Sequence, residues 1–105
     1  MLALAIGAVV AVLRITRFTA DPADAKEVLA RNTALVAAVR AASPGPAEAS
    51  LARLDDKTWV GLWRWESAAD AQATFDAAHS IPETAAAFAL VKDATAEQAE
   101  IIDER

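Results

Sequence analysis

The 105-residue chain has no cysteine, a single histidine, three glycines and four prolines. Without cysteine there is neither a disulfide framework nor a thiolate metal site. One histidine with no second ligand candidate close to it does not make a transition-metal site. Three glycines are too few for a nucleotide cradle. Positive charge is also short, with 10 lysines and arginines against 15 acidic residues and a net charge of -5. That balance argues against nucleic acid, whose backbone is bound by a basic stripe. No Ser-His-Asp set and no pair of catalytic carboxylates can be assembled. A membrane span is missing too: the apolar run from Met1 to Leu13 falls short of the roughly 20 residues a span takes. Arg14 and Arg17 follow that run, whereas a secretory signal carries its positive charge in front. The expectation is a cytoplasmic protein of one domain over residues 1–105, with residues 1–9 a dispensable or partner-contacting apolar leader.

What is present in quantity is apolar surface, 55% of residues, with a mean hydropathy of +0.24. That is high for a small monomer and suggests that some of it meets another chain. The centre of the pattern is Lys57–Ser67, which holds all three tryptophans. Side chains alternate along a strand, so Trp59, Gly61, Trp63 and Trp65 share one face and Val60, Leu62 and Arg64 the other. A strand apolar on both faces is central in its sheet and covered twice. One short chain hardly supplies two covering layers, which again implies a partner subunit.

The remaining elements follow in order. Val9–Thr19 is β-branched and bounded by Asp21-Pro22, and reads as the first strand, with Leu13, Ile15 and Arg17 facing one way and Arg14, Thr16 and Phe18 the other. Asp21 as N-cap and Pro22 at the first helical position open a helix that runs to about Ala42 and stops at Ser43-Pro44-Gly45-Pro46. Its apolar stripe is Val28, Leu29, Leu35, Val36 and Val39, and Asn32 lies in the middle of it. Arg31 and Arg40 fall outside as solvated charges. A second strand over Ala47–Leu54 turns through Asp55-Asp56 into the tryptophan strand as a hairpin. Ser67, with Asp70 three residues on, caps a helix whose buried side is Ala71, Phe75 and Ala78 and which ends at His79-Ser80. A short helical turn runs from Ile81-Pro82-Glu83 to Phe88. The tail is ambiguous between a helix capped at Thr95 and a strand; a strand near 98–104 completes a β-α-β-β-α-β order, the ferredoxin-like fold with a four-stranded antiparallel sheet.

Val60-Gly61-Leu62-Trp63-Arg64-Trp65-Glu66-Ser67, Ile15-Thr16-Arg17-Phe18 followed by Asp21-Pro22, and the Pro44-Gly45 break together resemble the antibiotic biosynthesis monooxygenase family over residues 10–104. The resemblance implies a ferredoxin-like subunit that pairs with its twin into a dimeric α+β barrel, with a ligand pocket between sheet and helices. It also implies one of several activities: cofactor-independent oxygenation in aromatic polyketide pathways, heme degradation, or none established.

Oxygenation without metal or flavin needs a dry cavity, a donor or base that favours a phenolate-like anion, and flat walls for rings. Small aromatic substrate and molecular oxygen would be the partners. Trp63 and Trp65 are candidate walls, and Trp65 matches the family's junction tryptophan; both also serve as core filling. Asn32 is the candidate polariser, since an amide in an apolar stripe either bonds backbone or points into a cavity. Phe75 and Phe88 are candidate pocket linings, with Phe18 as core. His79 either covers a helix end or ligates heme or acts as a base. Arg64 and Arg17 either pair with Glu48, Asp103 or Glu104 or bind a substrate carboxylate or superoxide. The leading reading is a small monooxygenase; the alternatives are a non-catalytic ligand-binding or assembly module and a heme-degrading enzyme.

Overall fold

The computed structural model describes residues 9–105, so most of the 1–9 leader lies outside the described residues. The order is β1 (Val12–Thr19), a single 3-10 turn (Pro22–Asp24), α1 (Ala25–Ala42), β2 (Glu48–Arg53), β3 (Thr58–Trp65), α2 (Ala68–Ala78), α3 (Pro82–Phe88) and β4 (Lys92–Glu100). The four strands form one antiparallel sheet in the order β2-β3-β1-β4. This is the expected α+β, ferredoxin-like arrangement, with the tryptophan strand and β1 central.

Local signals explain most boundaries. The Asp21 carboxylate accepts from the Ala23 N–H at 2.9 Å, and the 3-10 turn leads straight into α1, one turn later than the N-cap position suggests. α1 ends where Ser43 bonds back to the Val39 carbonyl and Gly45 takes φ +68°. A Cβ at Gly45 would lie 2.7 Å from Arg40 Cγ, so both the left-handed backbone and the close approach require glycine. The hairpin forms around Asp55, whose carboxylate accepts from Lys57 and Thr58 N–H groups at 2.9 and 2.8 Å. Those bonds hold its pKa below the usual 3.8. Ser67 Oγ accepts from Asp70 N–H at 3.1 Å and starts α2.

Three sequence expectations need correction. The last strand is Lys92–Glu100, beginning six residues and ending four residues before the 98–104 expected from the tail. All nine of its residues are exposed, so no apolar alternation marks it; it is placed by backbone pairing with β1, from Val12↔Glu100 to Thr19↔Lys92, with one extra residue accommodated near Asp93 at φ 54°. Leu29 is 54% exposed, because α1 rests on Val28, Leu35 and Val39 and one residue further on turns about 100° away. Arg31 and Arg40 stay on the outer side but do more than meet solvent: Arg31 donates to the Ala86 carbonyl at 2.8 Å and Arg40 to the Pro46 carbonyl at 3.1 Å.

All the described helices lie on one face of the sheet. The register pairs Val12 with Trp65, Arg14 with Trp63, Thr16 with Gly61 and Phe18 with Trp59, and directly opposed residues share a face. The core is split. At one end Val12, Trp65 and Ala71 are buried with Trp63 and Phe75 against them. At the other, Ala20, Val28 and Trp59 are buried with Phe18 and Leu51. Between them stands the smallest opposed pair of β1 and β3 on that face, Thr16 and Gly61.

The first cluster is fixed by a hydrogen bond. Trp65 Nε1 donates to Thr74 Oγ1 at 2.9 Å, both residues being fully buried, and the hydroxyl donates in turn to the Asp70 carbonyl at 3.2 Å. A buried N–H stripped of its acceptor costs about 1–3 kcal/mol. Thr74→Val keeps the shape and deletes the acceptor, so urea denaturation should show a loss of that size; an unchanged midpoint and slope would mean the indole N–H finds another partner.

Candidate active site

The gap between the two core clusters is a cavity of about 280 Å³, at the lower end of small-molecule pockets. The sheet supplies its floor through Arg14, Thr16, Phe18, Leu51, Gly61 and Trp63. Its roof is Val28, Asn32 and Leu35 of α1, Phe75 and Ala78 of α2 with His79 at its end, and Thr84, Ala87, Phe88 and Val91 from α3 and the segment after it. The origin of the hollow is simple. Trp59 and Trp65 fill the helix face at the two ends of β3, and Gly61 has no side chain to fill the middle.

Of the residues singled out from sequence, Trp63, Asn32, Phe75, Phe88 and His79 meet at this cavity. Trp65 does not line it. It is 1% exposed with its N–H committed to Thr74, and it stands behind the wall. Its ring meets Phe75 edge-on at 5.3 Å and Trp63 at 5.9 Å, contacts worth about 0.5–1.5 kcal/mol each beyond area. Trp65 thereby sets the angle of two rings that face the hollow. Alternation put Trp63 and Trp65 on one face correctly; it could not say which of the two the helices would cover.

Asn32 is half-buried on α1, and its amide makes no hydrogen bond to any described residue. No described polar side-chain atom is both buried and unpaired, so this amide meets accessible space at the cavity and does not bond backbone. Thr84 is occupied, donating to the Ala78 carbonyl at 2.7 Å. His79 is exposed at the C-cap of α2, on the rim, and Phe88 is 51% exposed at the mouth. Sequence reading missed Arg14. Its guanidinium carbon lies 4.3 Å from the centre of the Phe75 ring, a cation-π contact at the cavity edge. The signal was available, since Arg14 alternates with Thr16 and Phe18 on a central strand where an apolar residue is the norm.

Arg64, on the opposite face of the sheet, plays no part. It donates to both Glu104 oxygens at 2.7 and 2.6 Å and to Glu66, which raises its own pKa and holds Glu104 below its usual 4.5. The ion pair with Glu104 is one that the sequence anticipated. A wider, more open depression of about 410 Å³ near Val9, Ser67 and Glu100 lacks aromatic walls. Among the described residues no group of three metal-ligating side chains comes together, and no described helix is long and apolar enough to cross a membrane.

Fold and site together define a ferredoxin-like α+β domain with an aromatic-walled cavity between sheet and helices. The chain belongs to the antibiotic biosynthesis monooxygenase family, whose model matches residues 11–90. Its fold is shared with SnoaB, a cofactor-independent oxygenase from Streptomyces nogalater, at 25% identity and TM-score 0.63 over 91% of this chain and 95% of that one. A Nitrosomonas europaea protein of unknown function superposes at TM-score 0.70 with 17% identity, over 94% and 96% of the two chains. A Mycobacterium tuberculosis protein does so at TM-score 0.65 with 20% identity, over 90% and 97%. Comparison with curated proteins gives no match.

The hollow at Gly61 can be tested by filling it. A Cβ there meets nothing closer than 4.0 Å and the backbone is not left-handed, so Gly61→Leu should fold at least as well as the parent. It should weaken binding of 2-naphthol, followed by tryptophan quenching, by about tenfold or more. Unchanged affinity would place the naphthol elsewhere.

Proposed function

We propose that this protein is a small cofactor-independent monooxygenase whose substrate is an aromatic, polyketide-like phenol or quinol. The observation that carries this reading is the unpartnered Asn32 amide at a hollow walled by Trp63, Phe75 and Phe88. Membership of the monooxygenase family and the shared fold with SnoaB support it.

The chemistry asks little of the protein. Flat rings lie against Trp63 and Phe88, and apolar Val28, Leu35, Leu51 and Val91 keep water out, so each polar contact inside is stronger than in water. The Asn32 N–H donates to the substrate's phenol-derived oxygen and stabilises its anionic form. That anion supplies the electrons to oxygen: a C–O bond forms at the activated carbon, a proton completes the hydroperoxide, and loss of water leaves a carbonyl. For a ring methylene the balance closes, one oxygen atom entering the carbonyl and the other departing as water with both methylene hydrogens. Trp65 is a positioning residue here, acting through Trp63 and Phe75, and His79 contacts substrate at the rim.

Purified protein should accelerate oxygen consumption with a panel of anthrones and naphthols over buffer. Asn32→Ala should lower the rate about 100-fold, as loss of one preorganised donor does, while shifting stability by less than about 0.5 kcal/mol. A second reading, a ligand-binding module without turnover, draws on the lack of any carboxylate base among the lining residues. Binding of these compounds with no oxygen uptake would select it.

The working form is proposed to be a homodimer. The sheet face opposite the helices carries Leu13, Ile15, Val60 and Leu62, all only half-buried, and no described element covers it. Ile15 and Leu62 are direct partners at its centre. Sedimentation should give a dimer mass for the parent and a monomer for Ile15→Arg; a parent that sediments as a monomer sinks the dimer.

A further inference from the structure

The chain is acidic, yet its cavity is positive. Arg14 is a cation among the lining residues and no aspartate or glutamate lines the hollow, although acidic residues outnumber basic ones 15 to 10. Arg31, Arg40, Arg64 and Arg105 each donate to a carboxylate or a backbone carbonyl, while Arg17 and Arg53 make no such bond but are exposed and do not line the cavity, Arg53 lying over the Trp59 ring. Arg14 makes no side-chain hydrogen bond or ion pair to any described residue. Its neighbours across the ladders are Trp63 on β3 and Gln98 on β4, and neither offers a charge. Glu100, on the same face, is exposed and does not pair with it.

The guanidinium is half-buried in the middle of a central strand with no counter-ion among the described residues, and its unpaired donors all reach accessible space. The contact with Phe75 engages the face of the guanidinium's charge distribution and supplies about 0.5–2 kcal/mol, but a ring offers nothing to the in-plane N–H donors. Those donors form a planar fork that matches a carboxylate in two-point geometry and a single phenolate oxygen less well. We propose that Arg14 is the substrate-anchoring residue of this cavity and that its ligand is a flat aromatic carrying a carboxylate. The carboxylate sits on Arg14 at the Phe75 end, and the rings extend past Trp63 toward Phe88. This rests on the cavity being the substrate site, and it adds the ligand's charge and its orientation.

The test uses 2-naphthoate, its neutral isostere 2-naphthamide and 2-naphthol, titrated into the intact protein and followed by tryptophan fluorescence and calorimetry. Naphthoate should bind about tenfold or more tightly than naphthamide. That ratio, taken within each variant, should collapse in Arg14→Gln and survive in part in Arg14→Lys. In the parent alone, raising salt from about 20 to 500 mM should weaken naphthoate and leave naphthamide unaffected, a readout independent of any variant's folding. Equal affinities for the two isosteres, or a preference that persists in Arg14→Gln, would overturn the anchor while 2-naphthol binding kept the oxygenase reading standing. No saturable binding of any of the three would overturn both.

Discussion

The structure depends on one contrast of side-chain volume along β3. Trp59 and Trp65 are buried at the two ends of the strand's helix face, and Gly61 stands between them opposite Thr16. A close-packed domain tolerates few voids, and this one places its void where the strand has no side chain to give. The two ends hold the helices off the sheet, α1 through Val28 on Trp59 and α2 through Ala71 on Trp65. The middle is left as a chamber.

Rigidity of that chamber comes from behind its walls. Trp65 contributes no surface to the cavity, yet it is anchored through Thr74 to the backbone of α2 and meets both Trp63 and Phe75 edge-on. A stacking site on rings that swing freely would lose selectivity for flat ligands, and preorganisation of the supporting layer removes that freedom. The roof is tied similarly, because Arg31 spans from α1 to the carbonyl of Ala86 on α3. The floor and the roof are therefore each fixed by a polar contact outside the cavity, while the Asn32 amide at the cavity and the Arg14 guanidinium at its edge bond to no described residue.

Arg64 and Arg14, on opposite faces of the sheet, have opposite surroundings. On the open face Arg64 is saturated by Glu104 and Glu66, a structural pairing that joins β3 to the C-terminal tail beyond β4. The depressed pKa of Glu104 keeps that pairing intact as pH falls through the ordinary range of a glutamate, and it is lost only when acid reaches the lowered value. On the helix face Arg14 touches an aromatic ring and pairs with no carboxylate among the described residues. The same residue type is thus a staple at Arg64 and, as proposed, a recognition group at Arg14.

Sequence by itself determined every element that has a local cause. Asp21, Ser67 and Asp55 form caps and turns through their own side chains, Gly45 ends α1 through its backbone freedom, and strict alternation assigned the faces of β1 and β3. It also aimed Asn32 at the core side of α1. Tertiary structure decided whatever depends on distant chain. β4 was placed four to six residues too late because a fully exposed edge strand carries no apolar pattern and is defined only by its ladder to β1. Trp65 was separated from Trp63 because only the seating of α2 determines which indole is roofed over and which faces the gap. Arg14 gained its meaning only when Phe75, sixty-one residues further along the chain, folded over it, since periodicity reports which face a side chain takes and says nothing of what will stand opposite.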